Sequence, residues 1–256
     1  MDLTRRHLLG AAATLPLVPR PGRAQGRPLR IGVLNDMSGP FSEHAGMTSV
    51  AAVRQAIEDS GVAARGVTVE VVFGDHQNRP DVGLGLARRW FDLDGVDVVV
   101  DVPGSAVALA VAGLARERDR LFIASGAGTA DLTGPQCSPN TIHWSYDTWM
   151  LAKTTGEAMV RSGGESWYFI TADYAFGHAL ERDTTAMVQA AGGRVLGATR
   201  HPFPGTTDFS SFLVRAQGSR AQVIGIAFIR SATARPEARA AASMPETAFS
   251  QCVTPP

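Results

Sequence analysis

Apolar positions along the chain fall into two alternating patterns. Short runs that are apolar on both faces, Leu29 to Leu34, Val67 to Phe73, Val96 to Val102 and Leu121 to Ala124, read as buried strands. The stretches between them carry apolar residues at three- and four-residue spacing and read as helices. One spans about Glu43 to Ser60, with Val50, Val53, Ala56 and Ile57 on one face. A second opens at Asp81 and carries Leu84, Leu86, Ala87 and Trp90; a third runs from Ala106 to Arg118. Thr141 to Asp147 is an extended aromatic segment suited to cross between two lobes. The alternation then restarts: a helix over Thr148 to Arg161, a strand over Trp167 to Thr171, a helix ending near Ala191, a strand over Arg194 to Thr199, a short helix over Phe209 to Gln217 and a strand over Gln222 to Phe228. Strand, loop and helix in strict order predict an α/β protein with parallel sheets covered by helices on both sides. From Ser231 to Pro256 the pattern fails, with neither Leu nor Ile and no sustained period, so a poorly ordered tail is expected and the second sheet gains no further strand.

Right-handed crossovers bring the loops after successive strands to one carboxyl edge, where α/β sheets open their ligand crevices. That edge collects Asp36 to Gly39, Asp75 to Asn78, Ser105, and the small residues Ser125, Gly126, Ala127, Gly128 and Thr129. With so little side-chain bulk, this last loop lets a small molecule approach backbone N–H groups and two hydroxyls. Ser105, beside Gly104 and ahead of an apolar helix, offers its hydroxyl and the unpaired N–H groups of a helix N-terminus to an anion; it reads equally as an ordinary N-cap, and the two roles coexist. Tyr174 on the second-lobe rim is placed to close over a ligand, and Asp173 or Asp147 to face an ammonium, though Asp173 also reads as a helix cap and Trp144 and Tyr146 as packing residues.

Charge narrows the partners. Lys plus Arg and Asp plus Glu number 24 each, so no basic surface points to nucleic acid. The first residues carry Arg5, Arg6, Arg20 and Arg23 against Asp2, which leaves the remainder mildly acidic. Thr4-Arg5-Arg6-His7-Leu8-Leu9, a modest apolar run to Val18, and a small-residue site near Ala24 read as a twin-arginine export signal over residues 1–24. A membrane span needs roughly 20 apolar residues, and this run is shorter and interrupted. Export implies the periplasm, where Cys137 and Cys252 are the only pair available for a disulfide. Enzyme signatures are missing: neither Ser105 nor Ser125 has the glycines of a nucleophile elbow, Asp131 stands where a dinucleotide-binding loop needs its third glycine, and Asp75-His76 lacks convergent partners for acid–base or metal chemistry.

Taken in order, Ile31 to Pro40, Asp75 to Asp81, Val102 to Ala110, Ser125 to Gly128 with Asp131-Leu132-Thr133, Cys137 to Asn140 and Ala172 to Gly177 resemble the branched-chain amino acid type of ABC-transporter substrate-binding protein, the leucine-binding or type I periplasmic binding fold. The likeness covers about Leu29 to Ala227. It implies two Rossmann-like lobes, residues 29–145 and an incomplete 146–228, that close on an amino acid or amide-like solute and dock on an inner-membrane ABC permease. It implies a monomer with no cofactor, no metal and no catalysis; a ligand-sensing receptor of the same fold is the alternative. By position, Ser105 and Gly126 to Thr129 resemble the residues that hold the ligand's carboxylate and amino groups, and Tyr174, or less surely Phe176, the second-lobe aromatic. Because that family continues well past Ala227, the expectation is a truncated or frame-shifted chain with an aberrant tail over 229–256, which would leave a non-functional fragment.

Overall fold

Leu29–Asn35 forms β1 because its alternate residues meet two different layers: Val33 and Leu34 are both fully buried, on opposite faces of one strand. This computed structural model describes residues 26–43 and 45–228, with the backbone of Cys252–Val253. The expected export signal, and the tail apart from that dipeptide, lie outside the described residues.

The first lobe runs β1, α1 (Gly46–Asp59), β2 (Val69–Asp75), α2 (Pro80–Asp92), β3 (Val98–Asp101), α3 (Ser105–Glu117), β4 (Leu121–Ala124) and β5 (Thr141–His143). Its sheet has the order β2-β1-β3-β4-β5 with every pair parallel. The second lobe follows with α4 (Thr148–Arg161), β6 (Ser166–Asp173), α5 (Ala175–Ala190), β7 (Arg194–Pro202), α6 (Ser210–Gly218) and β8 (Val223–Ala227). Its strands run β7-β6-β8-β9, where β9 is Cys252–Val253 paired antiparallel to β8. The sequence pattern closes this sheet at β8; β9 corrects that expectation, since an exposed ladder edge accepts even a dipeptide without apolar periodicity.

Boundaries move for local reasons. The third strand stops short of the expected Val96 to Val102 because the Val96 N–H donates to the Trp90 carbonyl and closes α2, while Asp101 and Val102 turn to φ +81° and +60°. The aromatic segment after residue 140 contributes β5 to the first sheet before it crosses over.

The two faces of the first sheet are covered unequally. On one, α2 and α3 bury Leu34, Val99, Phe122 and Ala124 with Trp90, Phe91 and Leu114. On the other, α1 stands alone among the described helices. Val50 is buried, but Val53 and Ile57 are only half-buried and Ala56 is exposed, and they line an open groove of about 430 Å³ with Leu29, Ile31 and Val100. Cover by helices on both sides therefore holds for β1 and β2, while Leu121 and Ile142 remain exposed on that face of β4 and β5. In the second lobe, Trp167 and Phe169 pack with Val160, Val188 and Val223.

Candidate functional site

In each sheet the strand order reverses beside the first strand, between β1 and β3 and between β6 and β8, so both crevices open at carboxyl edges. Gly104, not Ser105, is the N-cap of α3; Ser105 occupies the first helical position, and no side chain caps the helix. The residue is 3% exposed and, among the described residues, its hydroxyl has no hydrogen-bond partner. The first-turn N–H groups of α3 thus stand beside an uncommitted hydroxyl.

The loop after β4 is held from outside by its carbonyls. His143 Nε2–H donates to the Ala127 carbonyl at 2.7 Å, and the Thr148 N–H to the Gly128 carbonyl at 2.8 Å. The Thr129 hydroxyl accepts from the Asp131 N–H at 3.3 Å, starting a short 3-10 turn. The N–H groups of Ala127, Gly128 and Thr129 find no acceptor among the described residues, although all three residues are buried. Three successive buried donors without an acceptor cost free energy unless an anion meets them. Gly126 lets the loops converge: a Cβ there would lie 2.8 Å from the Pro103 Cα and 2.7 Å from the Asp101 carboxylate.

Two of the residues singled out from the sequence lie elsewhere. Ser125 is exposed, donates to the Asp101 carboxylate at 3.3 Å and lines the groove beneath α1. Asp173 is exposed and pairs with His178 one turn along α5, at 2.7 Å. Asp147 caps α4 by accepting from the Met150 N–H. The Asp75 carboxylate accepts from Met37 N–H, Gln77 N–H and the Ser38 hydroxyl. His76 is buried, and that burial pulls its pKa below the ordinary imidazole value despite the nearby Asp36 and Asp75. Cys137 is an exposed free thiol.

Aromatic rings from both lobes cover the loop. Those of Phe176 and Tyr146 sit over Gly128, where a Cβ would come within 2.8 and 3.1 Å of them. Tyr174 lies 6.0 Å from Phe176 and stacks on Phe203 at 4.3 Å and 17°; Phe203 in turn lies 6.0 Å from Phe41 on the loop after β1. Phe41 and Phe203 escape sequence reasoning because a lone aromatic in a loop has no periodic partner. Beneath the rings, Thr148 joins the lobes: the Ala130 N–H donates to its hydroxyl, which donates to Asp183 at 2.6 Å, while Arg182 pairs with both Asp183 and Asp131.

A two-lobed α/β fold with parallel sheets and a covered inter-lobe crevice defines the class of bilobal periplasmic binding folds. The sequence pattern of the periplasmic binding protein family matches residues 28–243, and the chain belongs to that family. It is similar to a periplasmic binding protein from Burkholderia mallei at 43% identity and TM-score 0.77, over 85% of this chain and 59% of the other. A branched chain amino acid ABC transporter periplasmic ligand-binding protein from Burkholderia xenovorans LB400 is 39% identical at TM-score 0.64, over 77% of this chain and 52% of that one. A solute binding protein of an ABC transporter from R. palustris, in complex with 4-hydroxybenzoate, is 25% identical at TM-score 0.69, over 78% and 54%. The chain thus spans between half and three-fifths of the length of these solved relatives. Among curated proteins none matches.

Proposed function

We propose that the chain is the exported solute-binding component of an ABC importer, which holds a small carboxylate-bearing solute between its lobes and performs no chemistry on it. Amino acids and related amides are the class to which the sequence resemblance points. The observation that carries the reading is a set of donors that meet no acceptor among the described residues: the N–H groups of the buried residues Ala127, Gly128 and Thr129, with the Ser105 hydroxyl beside them at the N-terminus of α3. These meet the ligand's carboxylate, Gly126 lets the two loops converge on it, and Tyr174 closes from the second lobe. Neutral donors suffice, since N–H groups preorganised in a dry cleft bind an anion without a paired cation. The partner is an inner-membrane permease and the location the periplasm.

A thermal-shift series on the full chain with amino acids, amides and small carboxylates tests this. A ligand that binds only the folded state raises the melting point with its concentration. One class of solute should do so, and Ser105→Ala should weaken it about tenfold through the lost charge-assisted hydrogen bond. A cooperative melt that no member of the series moves would overturn the proposal.

A further inference from the structure

Resting on the solute-binding reading, we infer that Arg182 is a positioning residue. From the second lobe it clasps Asp131, immediately behind the solute loop, and so fixes the N–H groups of Ala127, Gly128 and Thr129 in their binding posture when the lobes meet.

The loop is tied to the second lobe at two points. One is Thr148, the first residue of α4, which is fully buried where the chain crosses between the lobes. Its N–H donates to the Gly128 carbonyl, and its hydroxyl accepts from the Ala130 N–H at 3.1 Å and donates to Asp183 at 2.6 Å. Lying at the crossover itself, Thr148 is the pivot. The other point is Arg182 on α5. Asp183 follows Phe176 by seven residues, about two helical turns, so both project from the face of α5 that meets this loop: Phe176 on Gly128, Asp183 on Thr148. The guanidinium grips Asp183 well, with Nε donating to Oδ1 at 2.9 Å. Its hold on Asp131 is slacker: Nη2 lies 2.9 Å from Oδ1, which accepts no aligned hydrogen bond among the described residues, and Nη1 donates to Oδ2 at 3.4 Å. The Asp131 end is therefore the joint that parts when the lobes separate.

Charge makes Arg182 the critical member. One guanidinium serves two carboxylates largely withdrawn from water, with the Asp131 side chain 18% and the Asp183 side chain 11% exposed. Among the described residues no second cation pairs with either. A planar fork of five donors reaches both acids at once, which a lysine ammonium does not match. Without that cation, two like charges face each other across the lobe boundary, where screening by water is weak. Their repulsion drives Asp131 away from α5, and Thr129 moves with it, because the Asp131 N–H donates to the Thr129 hydroxyl.

The test follows single amides of the full, isotope-labelled chain by nuclear magnetic resonance, first without any solute. Arg182→Gln should speed hydrogen exchange at Ala130 and Thr148 about tenfold relative to Val33 and Phe169 in the two sheets. Adding Asp131→Asn removes the repulsion and should bring the exchange back to within about threefold of the parent, a rescue that a general loss of stability does not produce. Asp131→Asn alone, which weakens the first-lobe end, should give about the same threefold and stands in should Arg182→Gln melt early. Sodium acetate is then titrated against the Ala127, Gly128 and Thr129 amides, whose shifts should saturate in the parent and need about threefold more acetate in Arg182→Gln. Exchange that does not change at Ala130 and Thr148, that rises equally in both sheets, or that Asp131→Asn fails to rescue overturns the inference. An acetate titration identical in parent and variant overturns it too and leaves solute binding standing. The expected exchange with no acetate shift at any of the three amides supports the clasp and overturns the reading of those amides as carboxylate donors.

Discussion

Gly128 carries two loads at once: its N–H is one of the open donors, and its missing side chain makes room for the rings of Phe176 and Tyr146. Gly128→Ala forces the buried Phe176 ring aside and crowds the half-exposed Tyr146, an overpacking that costs about 1–3 kcal/mol and should appear as a lower urea midpoint at unchanged slope. Solute binding should fall with it. Two buried imidazoles set a pH dependence. Burial depresses His76 and also His201, whose ring is packed edge-on against Phe209, Phe212 and Phe228. A depressed folded pKa means that the unfolded chain takes up protons first as the pH drops, so this stability is whole above about 6.5 and is lost as the pH falls through the folded values. The melting temperature should therefore decline from pH 7 toward pH 5, and His201→Phe should flatten the decline; a flat wild-type profile would contradict the assignment. Ser105 and the Gly126 to Thr129 loop stand out in the sequence as candidates because small residues after a buried strand are a local signal. The same signal does not distinguish Ser125, which turns to the α1 side, from its neighbours, because one peptide unit decides which face a loop residue takes.

Helices and strands were more legible than their ends. Every expected element from Leu29 to Phe228 exists, since periods of 2 and 3.6 persist over enough residues to survive local exceptions. Their limits depend on single hydrogen bonds, as the Val96 N–H shows when it closes α2 instead of entering the ladder. Among the described α-helices only α4 has a side-chain N-cap. Asp147 caps α4 with a 2.7 Å bond to the Met150 N–H at the crossover, where the chain leaves the first lobe. Asp147→Ala should cost about 0.5–2 kcal/mol in chemical denaturation, whereas Asp147→Asn, which still accepts the bond, should cost much less. α3 shares its uncapped N-terminus with α1, α2, α5 and α6, so its missing cap does not by itself mark a site; the N–H groups of the loop after β4, unpartnered among the described residues, do.

Parallel order and right-handed crossovers place α2 and α3 on one face and α1 on the other, so among the described residues a single helix covers that face of a five-stranded sheet. It covers β1 and β2. Register pairs Val98 with Leu121 and Ile123 with Ile142, so these apolar side chains share one face of β3, β4 and β5; Val98 is buried, and the exposed part of that face is at β4 and β5. Leu121 is 39% and Ile142 45% exposed, against nearly complete burial of Phe122 and Ala124 on the opposite face. Contiguous exposed apolar surface of this kind binds hydrophobic dyes and favours association. The double variant Leu121→Lys, Ile142→Lys should therefore lower anilinonaphthalene sulfonate fluorescence at a melting temperature within about 2 °C of the parent, because polar substitutions at open surface positions change stability by only about 0.5 kcal/mol. A loss of many degrees would mean that these side chains are packed in solution, since only a packed site pays heavily for a buried charge.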